Sequence, residues 1–438
     1  MITYTSRPGK ALHGCIAVPG DKSISHRAIM LGAIAQGRTR IEGLLMSEDV
    51  ERTAQAFRSC AVTIEGDEQL TTVDGRGLCG LEAPNEVIDC GNSGTSMRLL
   101  TGLFAGQGYE VHLTGDESLS SRPMRRVVEP LERMGASIAL SPDGTPPVRI
   151  RPVSRLNAIE WTLRVPSAQV QSAILLAGLY CDSPVRVVSP APMRDHTVKM
   201  LTGFGGHLEV DGLNVTLAAE GELSGQRVVV PGDFSSAAFF IAAAVLMPDS
   251  ELTITSVGVN ATRTGLLDVL WSMGAWIELE NLRLFGKEEV ADIKVRGSGR
   301  LSGITVNPEL IPTMVDEIPV LAVVAAAARG VTVLSGCEEL RVKESDRIHA
   351  MAKGLKRLGI KVQETADGMI IEGGQIQGGT VESFGDHRIA MAFAVAGSIA
   401  RSQVEVIDCD CVNTSFPGFL SVAVDCGMVI SKDMINNG

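Results

Sequence analysis

The sequence predicts a mixed α/β protein in two domains, each assembled from three βαβαββ units. Three observations carry that prediction. A turn with a polar cluster followed by an Ala-rich apolar helix occurs six times. Four stretches place a glycine just past a helix end and follow it with a strand. The string Val-Pro-Gly-Asp appears at both Val18 and Val230.

In chain order the six helical segments are VPGDKSISHRAIMLGAIA from Val18, DCGNSGTSMRLLTGLFAG from Asp89 and VPSAQVQSAILLAGLYC from Val165. VPGDFSSAAFFIAAAVL from Val230, VDEIPVLAVVAAAARG from Val315 and SFGDHRIAMAFAVAGSIA from Ser383 complete the set. They recur at roughly 65 to 80 residues, longer than solenoid periods, so the repeating object is a piece of mixed structure. Between them lie LERMGASI from Leu131, VLWSMGAWI from Val269, and the diverged copies LKRLGIKV from Leu355 and VDCGMVI from Val424. Glycine after a helix supplies the left-handed cap, and the β-branched run beyond it suits a strand. The duplicated Val-Pro-Gly-Asp marks the crossovers. It predicts a discontinuous domain of residues 1–20 plus 233–438 and an inserted domain of residues 21–232.

Composition narrows the function classes. Only 4% of the 438 residues are aromatic, so the core must be built from Ala, Val, Leu, Ile and Met. The net charge of −12 argues against nucleic acid or an anionic membrane, both of which need a broad basic surface. It does not argue against a small anion held by clustered cations. The nine cysteines are scattered without a C-x-x-C pair, which predicts reduced thiols in a cytoplasmic protein. MITYTSRPGK has no apolar signal core. The most apolar runs, residues 237–247 and 318–328, fall short of the ~20 residues that a membrane span needs.

Cations gather where the helices begin: Lys22, Arg27, Arg122, Arg194, Lys343, Arg347 and Arg388. Lys22 and Ser23 open the first helix, where unpaired N–H groups and the helix dipole favour an anion. Arg27 follows one turn along the same face. Asn92, Ser93, Gly94 and Thr95 form a loop whose backbone can approach a ligand closely. At an effective dielectric near 20, one charge pair 4 Å apart gives ~4 kcal/mol before desolvation, so several such groups can hold a dianion against water. Jointly they predict a site for two anions. Asp316, Glu317 and Glu344 are the carboxylates near these cations. Asp316 and Glu317 either favour the helix N-terminus they precede or serve as a general base, and the residues alone leave both roles open. Zinc spacings, an ATP-binding G-x-x-x-x-G-K-[ST] loop and a G-x-S-x-G elbow are all missing from the sequence.

DKSISHRA, GNSGTSMR, SRPM, RVKESDR and GDHRIAM, in this order along the whole chain, resemble the motifs of the EPSP synthase family of enolpyruvyl transferases. The resemblance implies an α-β prism, an inside-out α/β barrel with inward helices, and an active site in the cleft between the two domains. It implies transfer of the enolpyruvyl group of phosphoenolpyruvate to the 5-hydroxyl of shikimate 3-phosphate, with no cofactor and no metal. Carried over by motif, Lys22, Ser23, Arg27, Ser167, Ala168, Gln169, Arg194, Asp316 and Lys343 would hold shikimate 3-phosphate. Lys22, Gly94, Arg122, Gln169, Arg347 and Arg388 would surround phosphoenolpyruvate. Asp316 resembles the acceptor of the hydroxyl proton, and Glu344 with Lys22 the pair that moves a proton at the methylene carbon. The expected protein is a cytoplasmic monomer that uses neither nucleic acid nor membrane.

Two departures stand out. Thr414 precedes Ser415-Phe416-Pro417 where some members carry a lysine, and Leu99 follows Arg98 where many carry a proline. Gly94 is a glycine where glyphosate-tolerant members often have alanine, so an added methyl there should weaken glyphosate more than phosphoenolpyruvate. The alternative functions are the sister enzyme that transfers enolpyruvate to UDP-N-acetylglucosamine, a non-catalytic anion-binding repeat scaffold and an RNA-end-processing relative. The first relies on a cysteine before its Arg-Pro segment, where this chain reads TGDESLSSRP.

Overall fold

The six Ala-rich segments are helices in the computed structural model, which describes residues 1–219 and 221–434. They span Lys22–Ile34, Gly94–Phe104, Ala168–Gly178, Phe234–Leu246, Ile318–Ala327 and His387–Ile399. Every residue of Phe234–Leu246 is buried, as expected for a helix apolar on all sides. Four of the six begin with a side-chain cap. Asp21, Ser93, Asp233 and Asp386 accept from the backbone N–H of Ile24, Ser96, Ser235 and Arg388.

The chain divides into two compact units, one of Met1–Pro19, Pro231–Leu284 and Glu289–Gly438, the other of Gly20–Val230 and Phe285–Glu288. Each encloses its own apolar core. In the Gly20–Val230 unit Ile29, Phe57, Leu100, Phe104 and Leu175 meet. In the other, Phe240, Phe416 and Phe419 cluster with ring centroids 5.7–6.0 Å apart.

Among the described residues the strands form six small sheets that repeat one pattern: a parallel pair, then antiparallel strands. Glu160–Thr162 runs parallel to Val185–Val188, which pairs antiparallel with Asn214–Leu217 and through it with Leu208–Asp211. Ile88–Asp89, Val111–Thr114, Val148–Arg151 and Ser137–Ala139 repeat the order. In the first repeat of this unit the opening strand comes from its far end. Arg227–Val229 lies parallel to Gln36–Glu42. The other unit borrows in the same way: His13–Ala17 pairs parallel with Glu251–Gly258, and Ile2–Arg7 lies between Val404–Ile407 and Val429–Met434.

One repeat departs from four strands. Val331–Leu334, Gly368–Glu372 and Lys361–Thr365 form a three-stranded sheet, and the fourth position is reduced to the bridges Ser302↔Arg329 and Thr305↔Val333. Gly303 sits between them, where a Cβ would lie 2.5 Å from Val331 O, so this segment touches its neighbour without completing a ladder. The glycines after the second helices all take left-handed φ: Gly135 94°, Gly274 95°, Gly359 85° and Gly427 106°. Gly102 allows a close helix approach in the Gly20–Val230 unit, since a Cβ there would lie 2.2 Å from Ala173 O. That contact draws together Gly94–Phe104 and Ala168–Gly178, whose N-termini carry candidate ligand-binding residues.

Candidate functional site

Candidate residues of the Gly20–Val230 unit collect at the starts of its helices. Asp21 caps Lys22–Ile34 at 2.8 Å from Ile24 N, which leaves Lys22 and Ser23 in the first turn. Lys22 forms an ion pair with Asp49 in the first turn of Glu48–Arg58. Arg27 is buried and spans three elements. Its Nε donates to Thr197 Oγ1 at 2.6 Å, one terminal nitrogen to Ser23 O at 2.9 Å and the other to Ser172 Oγ at 3.0 Å. Ser172 lies one turn into the helix that Ser167 precedes and that starts with Ala168 and Gln169. Thr197 lies three residues beyond Arg194, which is half-buried in the turn before His196–Gly203. Arg27 thus links the three segments expected to hold one anion.

The loop at Gly94 is built around two further arginines. Arg122 donates to Asn92 Oδ1 at 2.5 Å and Ser118 Oγ at 3.1 Å, and Asn92 in turn donates to Asp116 at 2.7 Å. Arg98 donates to Gln169 Oε1 at 2.8 Å, and Gln169 Nε2 donates to Thr95 Oγ1 at 3.1 Å. A Cβ on Gly94 would lie 2.8 Å from one Arg98 terminal nitrogen and 3.3 Å from one of Arg122. The guanidinium groups therefore occupy the space that a side chain at this position would take.

In the other unit Arg347, 1% exposed, is the hub. Its Nε donates to Asp386 Oδ2 at 2.8 Å, while its terminal nitrogens donate to Asp316 Oδ1 at 3.1 Å and Glu344 Oε2 at 2.6 Å. Burial alone would lower the proton affinity of this guanidinium, but Asp386, Glu344 and Asp316 outweigh it and hold it above the usual arginine value. Arg388 lies 3.6 Å from Asp316 Oδ2 and donates to Asp316 O at 3.2 Å. Asp316 occupies the turn before Ile318–Ala327. Four expected residues, Asp316, Glu344, Arg347 and Arg388, thus form one cluster. A carboxylate that shares a fixed guanidinium with two others is oriented, which general acid–base chemistry requires.

Lys343 lies outside that cluster's hydrogen bonds. Its ammonium donates to Glu339 Oε1 at 2.9 Å, one turn back on the same segment. Thr414, where a lysine was the family alternative, donates its hydroxyl to Cys411 O at 2.8 Å. Leu99 is fully buried. Three residues that sequence reasoning did not single out are integral here: Asp49, Arg98 and Asp386. Arg98 had a visible signal, because it stands four residues after Gly94 as Arg27 stands four after Ser23. Asp386 precedes a helix and reads as a cap, which it is, since it accepts from Arg388 N at 2.9 Å.

Residues 6–422 match the family model described as EPSP synthase (3-phosphoshikimate 1-carboxyvinyltransferase). The chain is 52% identical over 430 residues to the 3-phosphoshikimate 1-carboxyvinyltransferase of Nitrosococcus oceani, covering 98% of this chain and 97% of that one. It is 52% identical over 433 residues to that of Acidithiobacillus ferrooxidans, covering 98% and 99%. The solved EPSP synthase of Acinetobacter baumannii superimposes with a TM-score of 0.89 at 44% identity, over 99% of this chain and 100% of that one. The enolpyruvyl transferase NikO of Streptomyces tendae shares the fold, with a TM-score of 0.78 at 18% identity over 99% of each chain.

Proposed function

Because the chain belongs to the EPSP synthase (3-phosphoshikimate 1-carboxyvinyltransferase) family, we propose how its own residues divide the work of that family's reaction. The enzyme transfers the enolpyruvyl group of phosphoenolpyruvate to the 5-hydroxyl of shikimate 3-phosphate, in the shikimate pathway, and releases phosphate. Lys22, Ser23, Arg27, Ser167, Ala168, Gln169, Arg194, Asp316 and Lys343 bind shikimate 3-phosphate. Lys22, Gly94, Arg122, Gln169, Arg347 and Arg388 bind phosphoenolpyruvate, and Arg98 joins them through its contact with Gln169 and its position against Gly94.

The observation that carries this reading is that both proton-transfer carboxylates, Asp316 and Glu344, accept hydrogen bonds from the same buried group, the guanidinium of Arg347. Two anionic substrates repel each other, so fixed cations must assemble them in attack geometry. Glu344, with Lys22, delivers a proton to the methylene carbon of phosphoenolpyruvate, which makes C2 electrophilic. The 5-oxygen attacks C2 as Asp316 takes its proton, giving a tetrahedral intermediate. Cleavage of the C2–O bond to phosphate, with return of a proton from the former methylene carbon to the enzyme, restores the double bond. Lys343 reaches its substrate by exchanging Glu339 for it. We further propose that the enzyme acts as a cytoplasmic monomer without metal or cofactor. Nine free cysteines support the compartment, and no described helix is long and apolar enough to cross a membrane.

Mixing the protein with both substrates is expected to release phosphate, with UDP-N-acetylglucosamine inert as a competing acceptor. Phosphate release with the nucleotide sugar instead would overturn the reading, and tight binding without turnover would favour the scaffold alternative. A second test concerns Gly94→Ala. The new methyl must push on Arg98 and Arg122, whose ends move by a few tenths of an ångström at modest cost. The KM for phosphoenolpyruvate should therefore rise only about threefold, while the inhibition constant of the longer glyphosate should rise about tenfold or more. Parallel shifts in the two constants would remove the steric explanation.

A further inference from the structure

His26 stands on the helix of Lys22, Ser23 and Arg27, fully buried, with no role in the chemistry described above. Its Nδ1 lies 2.8 Å from Thr53 Oγ1, and Thr53 Oγ1 lies 2.7 Å from Ser96 Oγ. Ser96 Oγ donates to Ser93 Oγ at 2.7 Å, and Ser93 Oγ also accepts from Ser96 N at 3.1 Å as the cap of Gly94–Phe104. The chain of polar atoms joins three helices: Lys22–Ile34, Glu48–Arg58 and Gly94–Phe104.

The direction of donation follows from its far end. Ser96 spends its hydroxyl proton on Ser93, so Thr53 must donate to Ser96. Thr53 then accepts from His26, which requires the neutral Nδ1–H tautomer. Burial, and after it the neighbouring Lys22 and Arg27, push the imidazole well below its usual pKa, with Asp21 opposing them. His26 Nε2 meets no hydrogen-bonding partner among the described residues. An apolar side chain would pack here without that burden, so packing alone gives no reason for a histidine.

We propose that His26 is a positioning residue: through Thr53 and Ser96 it holds the Ser93–Gly94 turn in register with the helix that carries Lys22, Ser23 and Arg27. On the substrate assignment above, on which this rests, one end of the relay serves shikimate 3-phosphate and the other phosphoenolpyruvate. The Lys22 end has independent anchors, since Arg27 is tied to Thr197 and Ser172. Loss of the relay therefore falls on the Gly94 end.

Thr53→Val is the cleanest probe, because it removes the hydroxyl and keeps the shape. It and His26→Leu should raise the KM for phosphoenolpyruvate about tenfold, the cost of one buried hydrogen bond. The Kd for shikimate 3-phosphate alone should stay within about twofold. His26→Asn, whose amide N–H falls near the place of Nδ1–H, should recover most of the loss. A wild-type KM in Thr53→Val, or equal changes for both substrates, would overturn the proposal. Nitrogen-15 NMR of histidine-labelled wild-type protein gives a test that needs no variant and no turnover. The Nδ1–H tautomer is expected across the assay range, and an Nε2–H tautomer or a titrating ring would refute the relay. If the wild-type protein released no phosphate, the substrate assignment would fall while the NMR result still decided the relay.

Discussion

Asp316→Ala is expected to lower kcat by about 10²- to 10⁴-fold, the usual worth of a positioned general base. The variant should remain folded. Arg347 loses one of three carboxylate partners but keeps Glu344 at 2.6 Å and Asp386 at 2.8 Å, so no buried charge is left alone. Binding of phosphoenolpyruvate should hold or improve, because a negative charge disappears beside Arg347 and Arg388. The signature is therefore a fall in kcat without a matching rise in the KM for phosphoenolpyruvate, with the thermal midpoint close to wild type. Steady-state kinetics and a melting curve check both halves. A near-normal kcat would take Asp316 out of the proton transfer and leave it as an orienting group for the two arginines.

Lys22→Met should have the larger effect on kcat/KM, about 10⁴-fold or more. It removes a partner in the proton transfer, worth about 10²- to 10⁴-fold, and a charged contact to each substrate, worth about tenfold or more apiece. Methionine preserves most of the side chain's length, so the helix start should keep its packing. Asp49 is the complication, since its side chain is only 8% exposed and would lose its ammonium. A fall in the thermal midpoint is expected from that unpaired carboxylate. Adding Asp49→Asn should restore the midpoint without restoring turnover. If the second change revived the rate, Lys22 would be acting through Asp49 rather than on the substrates.

The helices and their repeat were legible in the sequence because composition and periodicity encode them directly. Phe234–Leu246 is buried all round and His387–Ile399 is Ala-rich and apolar beyond Arg388, and each is announced by an acidic cap residue. The cationic residues could likewise be picked out, since a charge at a helix start is visible in a string of letters. What the string does not carry is pairing. Arg347 meets Asp386 across 39 residues and Arg98 meets Gln169 across 71. Neither partner choice is decided locally, so the spacing of Arg98 and the cap position of Asp386 were visible while their roles in the site were not. Lys343 shows the converse. Its ammonium pairs with Glu339, an acid four residues back on the same short helical segment, a local geometry that spacing alone could have raised. The broken fourth strand near Gly303 was out of reach for a third reason. Its neighbour's backbone crowds the position, and that crowding exists only in three dimensions.

The placement of Ile2–Arg7 between Val404–Ile407 and Val429–Met434 has a consequence for biosynthesis. Ile2–Arg7 leaves the ribosome long before either partner and must wait for both before its ladder can close. At about 5–20 residues per second that interval is roughly 20 to 80 s. Most of the Gly20–Val230 unit is contiguous and can fold well before then. The nascent strand Ile2–Arg7 meanwhile presents unsatisfied edges on both sides, a template for mispairing with neighbouring polypeptides. Chaperone occupancy during translation should therefore concentrate on that strand rather than on the segment that follows it.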